Sequence, residues 1–384
     1  MSGVDWAPLV ELLLLGAALG ALPLTLWAAR SGALDPRSRL RALGLLTLFL
    51  TFDLVVFGAF TRLTDSGLGC PDWPGCYGAA SPLGARTDIA SAQSAAPYGP
   101  VTFTKAWIEM VHRYWASAVG FLIVVMAALS WRWRRPELPH PGWSALLLAW
   151  VLVQGAFGAL TVTWKLYPAV VTLHLAFGLA LVALLALYVE RLQQRPLALP
   201  LHGLWLAVGL ALAAQVLLGG WVSTNYAVLA CTDFPTCQGQ WLPPADFETA
   251  FRLARPLGQD GEGGALSLSA LTAIHLAHRL GALVLTALLL LLAWRLHAAG
   301  RRGWALLLCA LLVWQLLSGI SNVVLGWPLL AALMHSGGSA ALVLAWTVLG
   351  ARLHAARAGV RPHPLPTPGS AAPMPPLRPH GAER

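Results

Sequence analysis

Charge is what this chain lacks. Asp, Glu, Lys and Arg together make up 11% of its 384 residues, where a soluble domain carries about 25%. Hydrophobic residues reach 57% and mean hydropathy is +0.67. That balance excludes an ordinary soluble enzyme. The net charge of +9 does not describe a nucleic-acid surface either, because the arginines are dealt out loop by loop between apolar runs. Cysteine is scarce, with five in the chain. The leading residues carry Asp5 and Glu11 but no Lys or Arg. The first apolar run therefore lacks the basic start of a signal peptide and reads as a membrane helix.

What is present is apolar length. Runs of about 20 apolar residues cross a bilayer as helices. Nine are legible, at 9–29, 42–62, 107–130, 143–164, 168–189, 203–224, 271–294, 303–326 and 329–351. Arg30, Arg37, Arg39 and Arg41 share one loop, and Arg132, Arg134 and Arg135 the next but one. Arg191 and Arg195, Arg301 and Arg302, then Arg352, Arg357 and Arg361 continue the alternation. By the positive-inside rule these loops are cytoplasmic. The expectation is a multi-pass protein of the cell (plasma) membrane, N-terminus outside and C-terminus cytoplasmic. Loops 63–106 and 225–270 then lie outside.

The expected fold class is an all-α membrane protein: two pseudo-symmetric four-helix transmembrane bundles plus one extra N-terminal transmembrane helix. The extra helix and a cytoplasmic loop occupy 1–41, the N-terminal bundle 42–191, a cytoplasmic linker 192–202, and the C-terminal bundle 203–352. Residues 353–384 are Pro-rich and read as a disordered cytoplasmic tail. Four spans per half give both copies the same orientation. Gly58 and Gly219 each stand twelve residues before a cysteine, and Gly158 and Gly319 also align. Small residues let membrane helices approach closely.

The repeat carries the chemistry. Cys70-Pro-Asp-Trp-Pro-Gly-Cys76 is followed by His112-Arg113, Gln154 and His174, and Cys231-Thr-Asp-Phe-Pro-Thr-Cys237 by His278-Arg279, Gln315 and His335. An outside compartment permits disulfides, so Cys70–Cys76 and Cys231–Cys237 are candidate small disulfide loops; a metal clip is the competing reading. Cys309 lies mid-helix and reads as an apolar packing residue. The four histidines sit about 8–10 Å inside the outer boundary at 1.5 Å per residue. Each half takes one from its second helix and one from its fourth, and bundle cores are where facing helices build cofactor sites.

Two imidazoles at one depth can hold a haem between axial ligands. Zinc or copper would want a third or fourth ligand at that level. One isolated membrane histidine is usually a packed, hydrogen-bonded residue; two matched pairs argue against that. Arg113 and Arg279 have two readings: recognition of haem propionates by the guanidinium fork, or snorkelling to the outer headgroups. Gln154 and Gln315 are placed to hydrogen-bond across the bundle.

The copies differ three residues before the first histidine, where Glu109 faces His275 in the alignment. Positions i and i+3 share a helix face, so Glu109 is expected to look into the cavity of His112. An ionisable group in a membrane helix is a functional candidate; the alternative is a first-turn carboxylate favoured by the helix dipole. The first half thus reads as reactive and the second as a plain cofactor site.

Taken together, residues 42–352 resemble the haem A synthase family, membrane enzymes that convert haem O to haem A. The resemblance is carried by Glu109-x-x-His112-Arg113, the Gly58-Ala-Phe-Thr-Arg-Leu-Thr-Asp-Ser-Gly-Leu-Gly-Cys70 approach, His174, and the second set Cys231, Cys237, His278 and His335. It implies that Glu109, His112 and His174 form the catalytic set around substrate haem O. It also implies that His278 and His335 ligate a haem b cofactor, with all four histidines as haem-iron ligands. The reaction implied is oxidation of a haem methyl to a formyl by successive hydroxylations. The partners implied are the haem O synthase that supplies substrate, an electron donor, and cytochrome oxidase assembly. The rivals are a bis-haem b electron-transfer cytochrome, opposed by the Glu109/His275 mismatch, and a haem transporter, opposed by the scarcity of mid-membrane charge.

Overall fold

A computed structural model describes residues 6–136 and 138–358. Helices dominate it: α1 Ala7–Ser31, α2 Pro36–Leu63, α3 Arg86–Ala95, α4 Phe103–Arg132, α5 Gly142–Thr163, α6 Pro168–Gln193, α7 His202–Thr224, α8 Phe247–Ala250, α9 Leu268–Ala298, α10 Arg302–Val324 and α11 Leu329–Arg357. Among the described residues nine of these are long and apolar enough to cross a membrane, and only isolated β-bridges occur. Leu210, Leu283, Leu306 and Leu330 are each 66–71% exposed. Such a surface is unfavourable in water and is what a lipid-facing helix presents. The chain is an all-α, multi-pass membrane protein.

Several helices outrun their apolar segments. α4 starts at Phe103 and α9 at Leu268, ahead of the expected 107 and 271. The reason is capping: Thr102 accepts from the Lys105 amide at 3.3 Å and Ser267 from the Ala270 amide at 3.2 Å. Each cap satisfies an orphan donor before the hydrophobic run begins. At the other end of the chain, α11 runs to Arg357, so the first residues expected in the tail are helical; positions 359–384 lie outside the described residues.

The helices close into two rings. α2 packs on α4 and α6, and α5 packs on the same two; α7 packs on α9 and α11, and α10 on the same two. α6 and α2 face α7 and α11 across the middle. The last turn of each ring is duplicated, with left-handed Lys165 and Leu166 matching Gly326 and Trp327. The segment between α6 and α7 is tied down rather than loose: Leu197 and Leu201 are buried, and the Leu197 amide donates to the Arg352 carbonyl at 2.8 Å.

α1 stands outside the duplication and lies on α4. Its Gly16 and Gly20 meet Ser117, Ala118 and Phe121, with a Cβ on Gly20 falling 2.8 Å from the Phe121 ring. Gly-x-x-x-Gly is how membrane helices bring backbones together. Leu12 of α1 joins the buried cluster around Cys70, Cys76 and Met110, so the added helix also backs the first cysteine loop.

Candidate functional site

The cysteine loops are built identically from different sequences. The sulfurs of Cys70 and Cys76 lie 2.13 Å apart and those of Cys231 and Cys237 2.06 Å, at disulfide distance. An aspartate folds each loop. Asp72 accepts from the amides of Tyr77 and Gly78 at 2.6 and 2.8 Å. Asp233 accepts from those of Gln238 and Gly239 at 2.6 and 3.1 Å. The Thr236 hydroxyl, then these two amides, hold the Asp233 carboxyl below its ordinary value. Tyr77-Gly78 and Gln238-Gly239 all have positive φ, the twist of a tight hairpin turn.

Arg113 and Arg279 take a course that neither reading from sequence describes. Arg113 Nη1 donates to the carbonyls of Asp72, Pro74 and Gly75 at 3.1, 3.1 and 2.6 Å. Arg279 donates to the equivalent carbonyls of Asp233, Pro235 and Thr236 at 2.9, 3.2 and 2.8 Å. Each guanidinium thus ties its loop to the helix that carries the first histidine. A fork of fixed donors suits a ring of carbonyls as well as it suits a carboxylate.

Glu109 belongs to the same assembly. Its carboxylate is 4% exposed. Oε2 accepts from the Cys70 amide at 2.8 Å, and Oε1 pairs with Arg113 Nη2. A shared helix face with His112 therefore did not decide where the carboxylate points; both its oxygens are engaged by the loop and the arginine. In the second copy His275 is buried without a hydrogen-bond partner for Nδ1 among the described residues.

Four glycines fix the four imidazoles. A Cβ built on Gly58 would lie 3.0 Å from His112 Cε1, on Gly158 3.3 Å from His174, on Gly219 3.2 Å from His278, and on Gly319 3.1 Å from His335. The aligned glycines thus admit a ring edge rather than a second backbone. His278 and His335 have ring centroids 6.3 Å apart at 75°. Two metal–nitrogen bonds of about 2 Å each fit between rings at that spacing, so the residues suit an iron held by one imidazole from each side. Gln154 donates across the bundle to the His174 carbonyl at 3.0 Å.

Two further side chains touch the histidines and were not singled out from the sequence. Gln215 Nε2 lies 3.1 Å from His278 Nδ1, and Ser318 Oγ lies 3.1 Å from His335 Nδ1. Their signal was available: each stands at a fixed distance before an aligned glycine, where the first half has Leu54 and Phe157.

Fold and site define a class, a duplicated multi-pass helical membrane protein that brings histidines from alternate helices together beneath clamped cysteine loops. Residues 41–347 match the family model described as cytochrome oxidase assembly protein. The chain is 41% identical over 306 residues to the heme A synthase of Shewanella oneidensis, covering 77% of this chain and 91% of that one. It is 29% identical over 311 residues to the heme A synthase of Halalkalibacterium halodurans, with the same coverage of 77% and 91%. It is 30% identical over 251 residues to that of Rhizorhabdus wittichii, covering 59% and 72%. The chain belongs to the haem A synthase family of cytochrome oxidase assembly proteins.

Proposed function

We propose that this protein oxidises the methyl group of haem O to the formyl group of haem A by successive hydroxylations. The observation that carries the reading is the duplicated histidine set, unequal at Glu109 and His275, in a chain of this family. Residues 42–191 form the substrate half and 203–352 the cofactor half. His112 and His174 receive haem O from its synthase and orient it. His278 and His335 would hold haem b, which would supply one-electron chemistry.

Glu109 is the ionisable group of the substrate half. Its pairing with Arg113 and its bond to the Cys70 amide fix where the carboxyl group sits, one turn before His112 on α4. Proton exchange at Oε1 as the Arg113 contact loosens gives the half a group able to exchange protons with the substrate site. Arg113 and Arg279 hold the cysteine loops over the outer ends of the two bundles and exclude water from them. The arginine-rich loops face the cytoplasm of the plasma membrane, and the cysteine loops face outside.

The test is haem extraction and chromatography after co-expression with a haem O supply. Haem A beside haem b is expected from the wild type. Glu109→Gln is expected to keep haem b and to yield haem O in place of haem A. Two equivalents of haem b that do not change when haem O is supplied would replace this reading with an electron-transfer cytochrome.

A further inference from the structure

The halves share a glycine cradle but treat the far nitrogen of each imidazole differently. In the second half Ser318 Oγ is 3.1 Å from His335 Nδ1 and also donates to the Trp314 carbonyl at 2.7 Å. A hydroxyl has one hydrogen. With that hydrogen on Trp314, a lone pair of Ser318 faces Nδ1 and accepts its N–H. The His335 proton is then held on Nδ1, and the free lone pair is on Nε2.

Gln215 positions His278 in another way. Its amide lies 3.1 Å from Nδ1, and its Oε1 is buried without a partner among the described residues. The same amide donates to the His278 carbonyl at 3.1 Å and lies 3.4 Å from Nε2, so it ties the ring edge to its own helix. Both rings of the second half therefore have a polar side chain against them, and Ser318 holds one tautomer of its ring.

In the first half neither ring has one. Leu54 stands four residues before Gly58 as Gln215 does before Gly219, and Phe157 precedes Gly158 as Ser318 precedes Gly319. Neither Leu nor Phe can accept or donate a hydrogen bond. Nδ1 of His112 is buried with no hydrogen-bond partner among the described residues, and His174 is met by the Gln154 backbone, as His335 is by that of Gln315. Phe57 instead stacks along His112, with ring centroids 6.2 Å apart at 13°.

We propose that Gln215 and Ser318 are positioning residues that make the second half a permanent haem holder, while Leu54 and Phe157 leave the first half an exchangeable one. The inference rests on the reading above, in which the second pair keeps its haem and the first pair takes in a substrate and lets a product go. A partner on the far nitrogen fixes ring and tautomer and raises ligand basicity; its loss costs about 10–100-fold in metal affinity. A resident cofactor benefits from that factor. A substrate site that must empty at each turnover is slowed by it.

The experiment compares haem loss from purified full-length protein to excess apomyoglobin. Ser318→Thr keeps the hydroxyl, and Ser318→Val has nearly the same shape without it. Gln215→Leu copies the first half. Ser318→Val and Gln215→Leu are expected to release haem b about 10–100-fold faster and to shift its low-spin spectrum, with Ser318→Thr at the wild-type rate. Leu54→Gln is expected to slow release of haem from the first half. Equal rates for the Val, Thr and Leu variants would overturn the proposal. A haem b that survives both His278→Ala and His335→Ala would instead overturn the assignment of the second pair as its ligands.

Discussion

At the scale of single residues, glycine and histidine act as one unit. Each imidazole rests where a neighbouring helix has no Cβ, and the clearance is 3.0–3.3 Å in all four cases. A methyl there forces the ring to give by a few tenths of an ångström. Gly319→Ala should therefore change the low-spin absorption or electron paramagnetic resonance of the bound haem. Ala is favoured over Gly inside a helix by about 0.5–1 kcal/mol, so thermal stability in detergent should hold or rise. An unaltered spectrum would show that the cradle does not set ring position. The histidines and glycines were legible because the repeat places them in register. Ser318 and Gln215 were marked only as departures from Phe157 and Leu54 of the other copy, since a lone polar residue in an apolar helix names no partner. Glu109 was legible as an ionisable group but not in its contacts, since an acceptor on the Cys70 backbone leaves no mark in a sequence.

At the scale of elements, the cysteine loop is a unit clamped from below by one arginine. Arg279 reaches three carbonyls of its loop, and Arg113 the same three positions of the other. Lysine carries the charge on a single ammonium and cannot reproduce the fork. Arg279→Lys should loosen the loop while leaving α9 intact. The check is thiol labelling across a reductant series. The wild type should stay unlabelled without reductant, and the variant should expose Cys231 and Cys237 at lower reductant. Coincident curves would remove the clamp from the account. The loops and their disulfide pairing were foreshadowed by Cys spacing and compartment. The arginines were not, because sequence suggests charged or lipid partners for a membrane arginine and is silent about carbonyl oxygens.

At the scale of the whole molecule, two polar ties join the halves at opposite ends of the bundle. At the cysteine-loop end Arg62 donates to the Ser223 carbonyl at 2.6 Å, and Tyr226 donates to Asp65 at 2.6 Å. At the arginine-rich end Arg352 meets Glu190 through two bonds of 2.9 Å. The Thr172 and Thr224 hydroxyls, 3.3 Å apart, add to the cysteine-loop end, and deeper in the bundle small and apolar groups meet, such as Gly337 and Val56. The duplication and the parallel orientation of the copies followed from counting spans. Which helices meet did not, because apolar runs look alike from every side and the pairing is set by these few polar residues. Glu190 is 8% exposed, so removing its partner strands a buried carboxylate, a loss of about 3–5 kcal/mol. Arg352→Ala should lower the melting temperature in detergent well below that of the wild type. Glu190→Gln combined with Arg352→Ala should recover much of the loss, because the stranded charge is gone. A double variant no more stable than Arg352→Ala would mean that the arginine acts through its stacking on Trp304, and not through the carboxylate.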